Sequence, residues 1–375
     1  MLDNWKISGG QFGILVALYA IGTTILITIA DLASEVKQDA WISVITGIGI
    51  SMPLIGLYNA IGDLYPNMSF VKAIEAALGK WLGKAVSILF IFFCFTGAVA
   101  LVWIVGNFIV TQMMPETPVL YINILFMALV VMGVRLGLET VVRSAEVLFP
   151  WVIVFFIFLI LSSTSNLKAE NIQPVFESGI KPILRSALFF ASIFSLPLVV
   201  LLMVFPASLN KLKEGKKAFY TGTLIAGIIM VIIAVFSILI LGSDFTARNM
   251  YPTYVLAKKI SVGKIIERVE AVIAGLWIIT IFFKATLYFY AAVLGFAQTL
   301  NLRDYRSLTL PLGMIVVSLS LVFFPNATDF IVWDTKTWPS FAIVYGFFLP
   351  LLIFIVGKIR NKKEKTTAGH GKADA

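Results

Sequence analysis

The sequence predicts an all-α membrane protein with ten transmembrane helices. Of its 375 residues, 59% are hydrophobic and 13% are charged, and the mean hydropathy is +0.97. Apolar stretches of about twenty residues, long enough to cross a bilayer as helices, recur from one end of the chain to the other. The predicted spans are residues 11–31, 41–61, 85–110, 119–138, 146–163, 183–206, 218–241, 269–297, 309–325 and 339–357. They leave no room for a sizeable soluble catalytic domain.

The basic residues predict that both termini are cytoplasmic. An even number of spans puts both termini on one side, and this orientation places eighteen of the 29 Lys and Arg residues in inner segments and ten in outer ones. Most of the outer ones lie in the two longest loops, 164–182 and 242–268, which count less in the positive-inside rule. The net charge of +9 is therefore explained by membrane orientation, without nucleic acid. Helical spacing of apolar residues in 62–84 predicts an amphipathic helix along the inner face.

The sequence lacks the residues that several kinds of catalytic and metal site require. The single cysteine, Cys94, lies within a span, and the single histidine, His370, lies in the polar tail. This excludes an internal disulfide, a cysteine or histidine metal centre and a Ser-His-Asp triad. No phosphate-binding loop is present either. We therefore predict a protein that is not an enzyme and uses no cofactor or metal.

The first and sixth spans carry matching signs of interruption. Gly22 follows the start of span one at Gln11 by eleven residues, and Phe194 follows the start of span six at Ile183 by the same number. Pro197 removes a backbone donor from span six. Non-helical backbone at membrane depth survives only where it lines a cavity or is buried in protein. Spacing alone does not choose between two broken helices and a packing glycine with a simple proline kink.

These interruptions suggest two five-helix repeats, 1–182 and 183–357, followed by a polar basic tail at 358–375. In inverted repeats of this kind the first helix of each half is unwound near the middle of the membrane. The amino termini of the half-helices then offer N–H groups and a positive dipole end to a carboxylate.

Lys284 lies in the middle of span eight, with Thr280 and Tyr288 on the same helical face. An ammonium group at mid-membrane costs about 2.5–3.5 kcal/mol on insertion scales, so its side chain is expected to face the bundle interior. Three roles fit. The amine replaces a coupling sodium ion, with proton coupling feasible because burial favours the neutral form. Alternatively, it binds a ligand carboxylate, or it ties spans one and eight together through groups such as the hydroxyls of Thr23 and Thr24.

Three long phrases resemble the B subunits of spore germinant receptors, an endospore germination permease branch of the amino acid–polyamine–organocation superfamily. They are ISGGQFGILVALYAIGTTIL at 7–26, NIQPVFESGIKPILRSALF at 171–189, and MYPTYVLAKKISVGKIIERVEAVIAGLWIITIFFK at 250–284. The resemblance covers nearly the whole chain in the same order. It implies a LeuT-type fold with five-plus-five inverted repeats in which helices one and six are broken.

The resemblance also implies a function. The chain would sense a nutrient germinant, an amino acid or similar small molecule, in the spore inner membrane and trigger germination through A and C subunits. Carried over position by position, the ligand site would comprise Gly22, Thr23, Thr24, Gly97, Ala98, Ser195, Leu196, Thr280, Lys284 and Tyr288. The broken segment of span six contains no acid, which leaves carbonyls and hydroxyls for a ligand amino group. Ala98 and Leu196 favour a ligand with a small or apolar side chain.

A second function fits the same sequence. A secondary amino acid transporter, coupled to protons or uncoupled, would use the same fold by rocking one bundle of helices against the other. The sequence does not separate a sensor from a transporter, because a sensor can keep the transporter fold. Membrane lipid surrounds the chain in both cases.

Overall fold

The chain folds into a bundle of apolar helices. A computed structural model describes the backbone of residues 6–258 and 269–370 and the side chains of 6–258 and 270–360. Within those ranges the secondary structure is helical, apart from an isolated bridge between Ile7 and Leu209. Part of the third phrase quoted above, 259–268, lies outside the described residues. The prediction of an all-α membrane protein is confirmed.

Eight helical stretches are long and apolar enough to cross a membrane. The first, Gly9–Leu64, has 56 residues. As one straight helix it would measure about 84 Å, far more than the roughly 30 Å of a bilayer core. It therefore contains two spans, which meet at a turn, Lys37–Asp39, where Lys37 has a positive φ of 48°. A shorter apolar helix, Arg306–Val322, follows span eight and completes the ten predicted spans.

Spans five, seven and ten begin eight, six and twelve residues before their predicted starts, and the bounds of the other spans lie within five residues of the predicted ones. Span one comprises Gly9–Ile21 and Ile29–Val36, and span six comprises Ile180–Phe194 and Leu196–Met203. The remaining spans, from two to nine, are Ala40–Leu64, Lys80–Gln112, Val119–Leu136, Leu138–Ser163, Leu212–Leu241, Val269–Thr299 and Arg306–Val322. Residues 62–84 divide into the end of span two, an amphipathic helix Phe70–Leu78 and the start of span three.

Span ten begins twelve residues before the predicted start at 339. Its helix runs without interruption from Ala327 and includes two π-helical segments, Trp333–Thr337 and Val344–Phe348. The prediction was wrong because Asp334 and Lys336 lower the hydropathy of the first turns. The structure places Lys336 on the exposed side of the helix and Asp334 on a half-buried side.

Span one is broken at Gly22 and Thr23. The last α-helical hydrogen bond runs from Gly22 N to Leu18 O (3.1 Å), and a π-helical segment, Thr24–Thr28, follows. The Thr24 hydroxyl donates to Ala20 O (2.9 Å), a carbonyl that a continuous helix would pair with a backbone N–H. This local bond lets the chain leave the helix inside the protein without stranding that carbonyl.

Span six is broken at Ser195. Its α-helix ends at Phe194, and after Ser195 the eight residues Leu196–Met203 form a tighter 3₁₀-helix. The backbone hydrogen-bond pattern changes at this residue. Ser195 N donates to Ala191 O, four residues earlier, at 3.0 Å, whereas Leu198 N donates to Ser195 O, three residues earlier, at 3.0 Å. Because Pro197 has no N–H, it cannot continue the α-helical ladder. Both predicted breaks are confirmed.

Two contacts between distant segments hold the ends of the broken spans. At one end, Ile7 N donates to Ser208 O (2.7 Å) and Asn210 N donates to Ile7 O (3.0 Å). At the other end, the buried Asp39 carboxylate accepts from Phe176 N (2.7 Å) and Ser178 N (3.0 Å). The loop before span six is thereby fastened to the turn between spans one and two.

Candidate functional site

A small cavity lies beside the break in span one. It has a volume of about 40 Å³. Since a water molecule needs roughly 10–15 Å³ on this measure, the cavity holds about three waters or a few heavy atoms of a ligand. Its walls come from spans one, three, six, eight and ten: Thr23, Gly97, Ala100, Leu101, Ile104, Ile193, Lys284, Tyr288, Phe330, Trp333, Asp334 and Trp338.

The Lys284 side chain contacts both broken spans, one and six. Its Nζ donates to Thr23 Oγ1 at 3.1 Å and to Ile193 O at 3.4 Å, and it lies 5.6 Å from the centre of the Tyr19 ring. The residue is 3% exposed. Two oxygen acceptors and an aromatic face replace part of the hydration that the ammonium group loses by burial. Lys284 thus connects span eight to the two breaks and retains its remaining hydrogen-bonding capacity for the cavity.

Asp334 supplies the opposite charge. It lies in the first π-helical segment of span ten and lines the same cavity as Lys284. Single π-helical turns within α-helices occur frequently at functional sites, because they redirect side chains. Sequence analysis missed Asp334 because it placed this residue outside span ten. The signal in the sequence that could have identified Asp334 is an acid between two tryptophans, Trp333 and Trp338, just before the predicted start of span ten at 339.

Two glycines allow the side chains of span eight to occupy these positions. A Cβ added at Gly22 would overlap Lys284 Cδ, and one added at Gly97 would overlap the ring of Tyr288. Neither neighbour is the free end of a flexible surface chain, since both Lys284 and Tyr288 are buried. Close approach of span eight therefore explains why the two positions are glycine.

The unwound carbonyls of span six are held by side chains from other spans. The hydroxyl of Tyr58 is a shared donor between two carbonyls, at 2.6 Å from Gly346 O and 3.1 Å from Leu196 O. The carbonyl of Pro197 accepts from the hydroxyl of Tyr19 at 2.9 Å. The remaining bonds of this kind, from Lys284 to Ile193 O and from Trp338 Nε1 to Ser192 O (3.0 Å), come from spans eight and ten.

The structure divides the ten predicted site residues among four environments. Thr23, Gly97, Lys284 and Tyr288 line the cavity, and Gly22 packs against Lys284. Ser195 and Leu196 line a different hollow, on another face of span six. Thr24, Ala98 and Thr280 are buried in the bundle and do not line the cavity; the two threonine hydroxyls donate to carbonyls of their own spans.

The cavity has the chemistry of a binding site for a small polar molecule. A cationic and an anionic side chain face it, while Trp333, Trp338 and Tyr288 give it apolar walls. Such a combination, a few convergent polar groups in an apolar enclosure, is typical of small-molecule sites. Among the described residues, no group of three or more histidine, cysteine or acidic side chains is arranged to hold a metal ion.

Ten apolar spans, the first and the sixth of them broken, define a permease-type membrane protein of the LeuT fold. The family described as spore germination protein matches residues 6–329, so the chain belongs to that family. It is 28% identical over 376 residues to spore germination protein KB of Bacillus subtilis (strain 168), covering 98% of this chain and 99% of that protein. Spore germination protein YndE of the same organism is also 28% identical, over 370 residues, with 96% and 98% covered.

Solved structures show the same fold at low sequence identity. MhsT in complex with L-phenylalanine superposes with a TM-score of 0.67 at 16% identity, covering 92% of this chain and 97% of that one. A Na⁺-coupled sialic acid symporter gives a TM-score of 0.63 at 12% identity, with 94% and 78% covered. At these identities the likeness establishes the fold and nothing about the ligand.

Proposed function

We propose that this chain is the germinant-sensing subunit of a spore germination receptor and that the cavity binds a small amino acid. The observation that carries the proposal is the placement of Lys284 and Asp334 on one small cavity at the break in span one. A free amino acid carries a carboxylate and an ammonium group close together. Lys284 matches the carboxylate and Asp334 matches the ammonium group.

The size of the cavity favours a small side chain. A volume of about 40 Å³ holds about three waters, fewer than the six heavy atoms of alanine, so the walls have to separate for a ligand to enter and a large side chain is disfavoured. Gly97 and Ala100 form part of the wall. Each charge-assisted hydrogen bond of the ligand would contribute about 1.5–3 kcal/mol. The acid that span six lacks is supplied by span ten in this arrangement.

The proposal is tested by titrating the protein in lipid nanodiscs with L-alanine and with two analogues that each retain one charge. Ethylamine keeps the ammonium group and propionate keeps the carboxylate. We expect L-alanine to bind at least tenfold more tightly than either analogue, since each analogue loses one charge-assisted bond of about 1.5–3 kcal/mol.

Two substitutions separate the roles of the charged residues. Lys284→Met is expected to weaken propionate binding and leave ethylamine binding unchanged, and Asp334→Asn is expected to do the reverse. Lys336→Met removes an exposed lysine from span ten, the span that contains Asp334, and serves as the matched control. L-Alanine binding that survives both Lys284→Met and Asp334→Asn would exclude the cavity as the site.

Sensing requires that the ligand favour one arrangement of the helices. A ligand with equal affinity for two arrangements shifts nothing, whereas a coupling of about 1–3 kcal/mol gives a 5–150-fold effect. A ligand bound between Lys284 and Asp334 would join spans eight and ten across the breaks in spans one and six. We propose that this change is transmitted to A and C subunits in the spore inner membrane, with both termini of this chain in the spore core.

Secondary transport of an amino acid is the alternative function. The fold likeness to MhsT and to the sialic acid symporter favours it, because the described spans keep the architecture of transporters. Uptake of radiolabelled L-alanine into proteoliposomes containing this chain alone separates the two functions. Saturable accumulation that Lys284→Met abolishes would favour the transporter. Binding without accumulation, together with loss of the nutrient response in spores that carry Lys284→Met, is expected for the sensor.

A further inference from the structure

A larger hollow, here called the side groove, lies on another face of span six. It is lined by spans one, two, six and ten and encloses about 860 Å³, within the range of roughly 300–1,000 Å³ that small-molecule sites occupy. Leu54, Leu188 and Phe347 are among its apolar lining residues. Ionic residues of spans one and six, Asp31 and Arg185 among them, lie at the end near the turn between spans one and two.

Asp31 is the acid of the side groove that has no ion-pair partner among the described residues. Its Oδ2 atom is buried and has no hydrogen-bond partner among the described residues. The other two charges of this end neutralise each other, since Arg185 Nε lies 3.3 Å from Glu35 Oε1. The Asp31 residue as a whole is half-buried. A carboxylate oxygen that is removed from water without a donor is costly, so a cationic hydrogen-bond donor would stabilise this end of the groove.

The hydroxyl groups of the side groove are also acceptors. A hydroxyl has one proton to donate and two lone pairs. Four lining hydroxyls donate that proton to a backbone carbonyl of their own span, those of Ser34, Ser192, Ser195 and Thr335. Their oxygen atoms therefore present lone pairs alone to a ligand, so these four hydroxyls can only accept hydrogen bonds from it.

We propose that the side groove binds a protonated organic amine, with the ammonium group on Asp31 and an apolar body along spans two, six and ten. An ammonium group has three donors and no acceptor, which matches an unpaired carboxylate oxygen in a groove with four hydroxyls that only accept. The apolar walls would contact the body of an organic ligand, whereas an inorganic cation would make no use of them. An anionic ligand would meet Asp31 and compete with Glu35 for Arg185. The inference concerns a second site and does not depend on the amino-acid cavity.

The test uses three probes with the same alkyl chain, octylamine, octanol and octanoate, on the protein in lipid nanodiscs. The readout is the rise of the thermal unfolding midpoint with probe concentration. We expect octylamine to stabilise the protein at lower concentration than the other two. Asp31→Asn should weaken the octylamine effect about tenfold or more, because it replaces a charged acceptor with a neutral amide. Asp244→Asn, an exposed acid outside the groove, should leave it unchanged.

A second variant keeps the test valid if Asp31→Asn fails to fold. Leu188 is 52% exposed and forms part of the apolar wall, so Leu188→Trp fills the groove from its open side. Octylamine should then lose its stabilising effect while L-alanine binding at the cavity is retained. Equal stabilisation by octylamine and octanol, a stronger effect of octanoate, or an octylamine effect that survives both variants would overturn the proposal.

Discussion

At the scale of single residues, the position of Lys284 illustrates how a charge is accommodated inside an apolar bundle. Its side chain passes a glycine at position 22 and ends between two acceptors, Thr23 Oγ1 and Ile193 O. Of the three roles that the sequence left open, the tie between spans one and eight is present in the structure. The other polar face of the cavity is Asp334, so a ligand role remains compatible with the tie.

Gly97→Ala is the sharpest residue-level prediction. The added Cβ would overlap the ring of Tyr288, which lies in the cavity wall and stacks on Tyr19 at 5.5 Å between ring centres. Overpacking of this kind costs about 1–3 kcal/mol. We expect a lower free energy of unfolding in detergent micelles and weaker L-alanine binding in nanodiscs.

Gly49→Ala is the matched control, since nothing lies within 4 Å of its added Cβ. It should be neutral or slightly stabilising, because alanine is the better helix former. Equal effects of the two substitutions would show that Gly97 is not required for the close approach of Tyr288.

At the scale of elements, the broken spans are held by bonds that ordinary helices do not need. Ser192, Ile193, Leu196 and Pro197 all have carbonyls that accept hydrogen bonds from side chains of other spans. Each of these carbonyls would be costly if it were unpaired within the bundle. The break in span six is consequently a shared feature of spans one, two, eight and ten, and a local proline effect alone does not maintain it.

Tyr58→Phe tests whether side chains of other spans maintain the break in span six. The substitution removes the hydroxyl that lies 3.1 Å from Leu196 O and 2.6 Å from Gly346 O. Leaving a buried acceptor without its donor costs about 1–3 kcal/mol, so the free energy of unfolding should fall by that amount. Amide exchange measured by mass spectrometry should also rise in 196–203. The control Tyr121→Phe, at a side chain 60% exposed, should change neither quantity. An unchanged exchange rate in Tyr58→Phe would show that this bond does not maintain the break.

At the scale of the whole molecule, orientation in the membrane decides which hollow faces which compartment. The distribution of Lys and Arg predicts cytoplasmic termini, which places the turn between spans one and two, and the ionic end of the side groove beside it, on the outer side. The loop between spans three and four would lie on that side as well, and the loop between spans six and seven on the opposite side.

Cysteine accessibility tests the orientation cleanly, because the native Cys94 is buried. Glu116→Cys lies in the loop after span three and Lys213→Cys lies in the first turn of span seven, and both side chains are exposed. A membrane-impermeant maleimide applied to intact cells should label Glu116→Cys and should label Lys213→Cys only after permeabilisation. The opposite pattern would reverse the assigned orientation and with it the compartment from which the side groove is reached.

The amino-acid sequence predicts ten spans and an interior charge at Lys284, because long apolar stretches and a charge within one of them obey strong local rules in lipid. It also marks possible breaks near Gly22 and Phe194, but their spacing alone does not distinguish a broken helix from a packing glycine or a proline kink. It did not find Asp334, which lies in a polar first part of span ten that the hydropathy pattern assigned to a loop. The packing of the spans placed Asp334, which was not predicted, on the same cavity as Lys284, and it turned the predicted residues Ser195 and Leu196 toward the side groove. That separation depends on the rotation of a few residues about the axis of a broken helix, which the packing of distant spans fixes and local sequence does not.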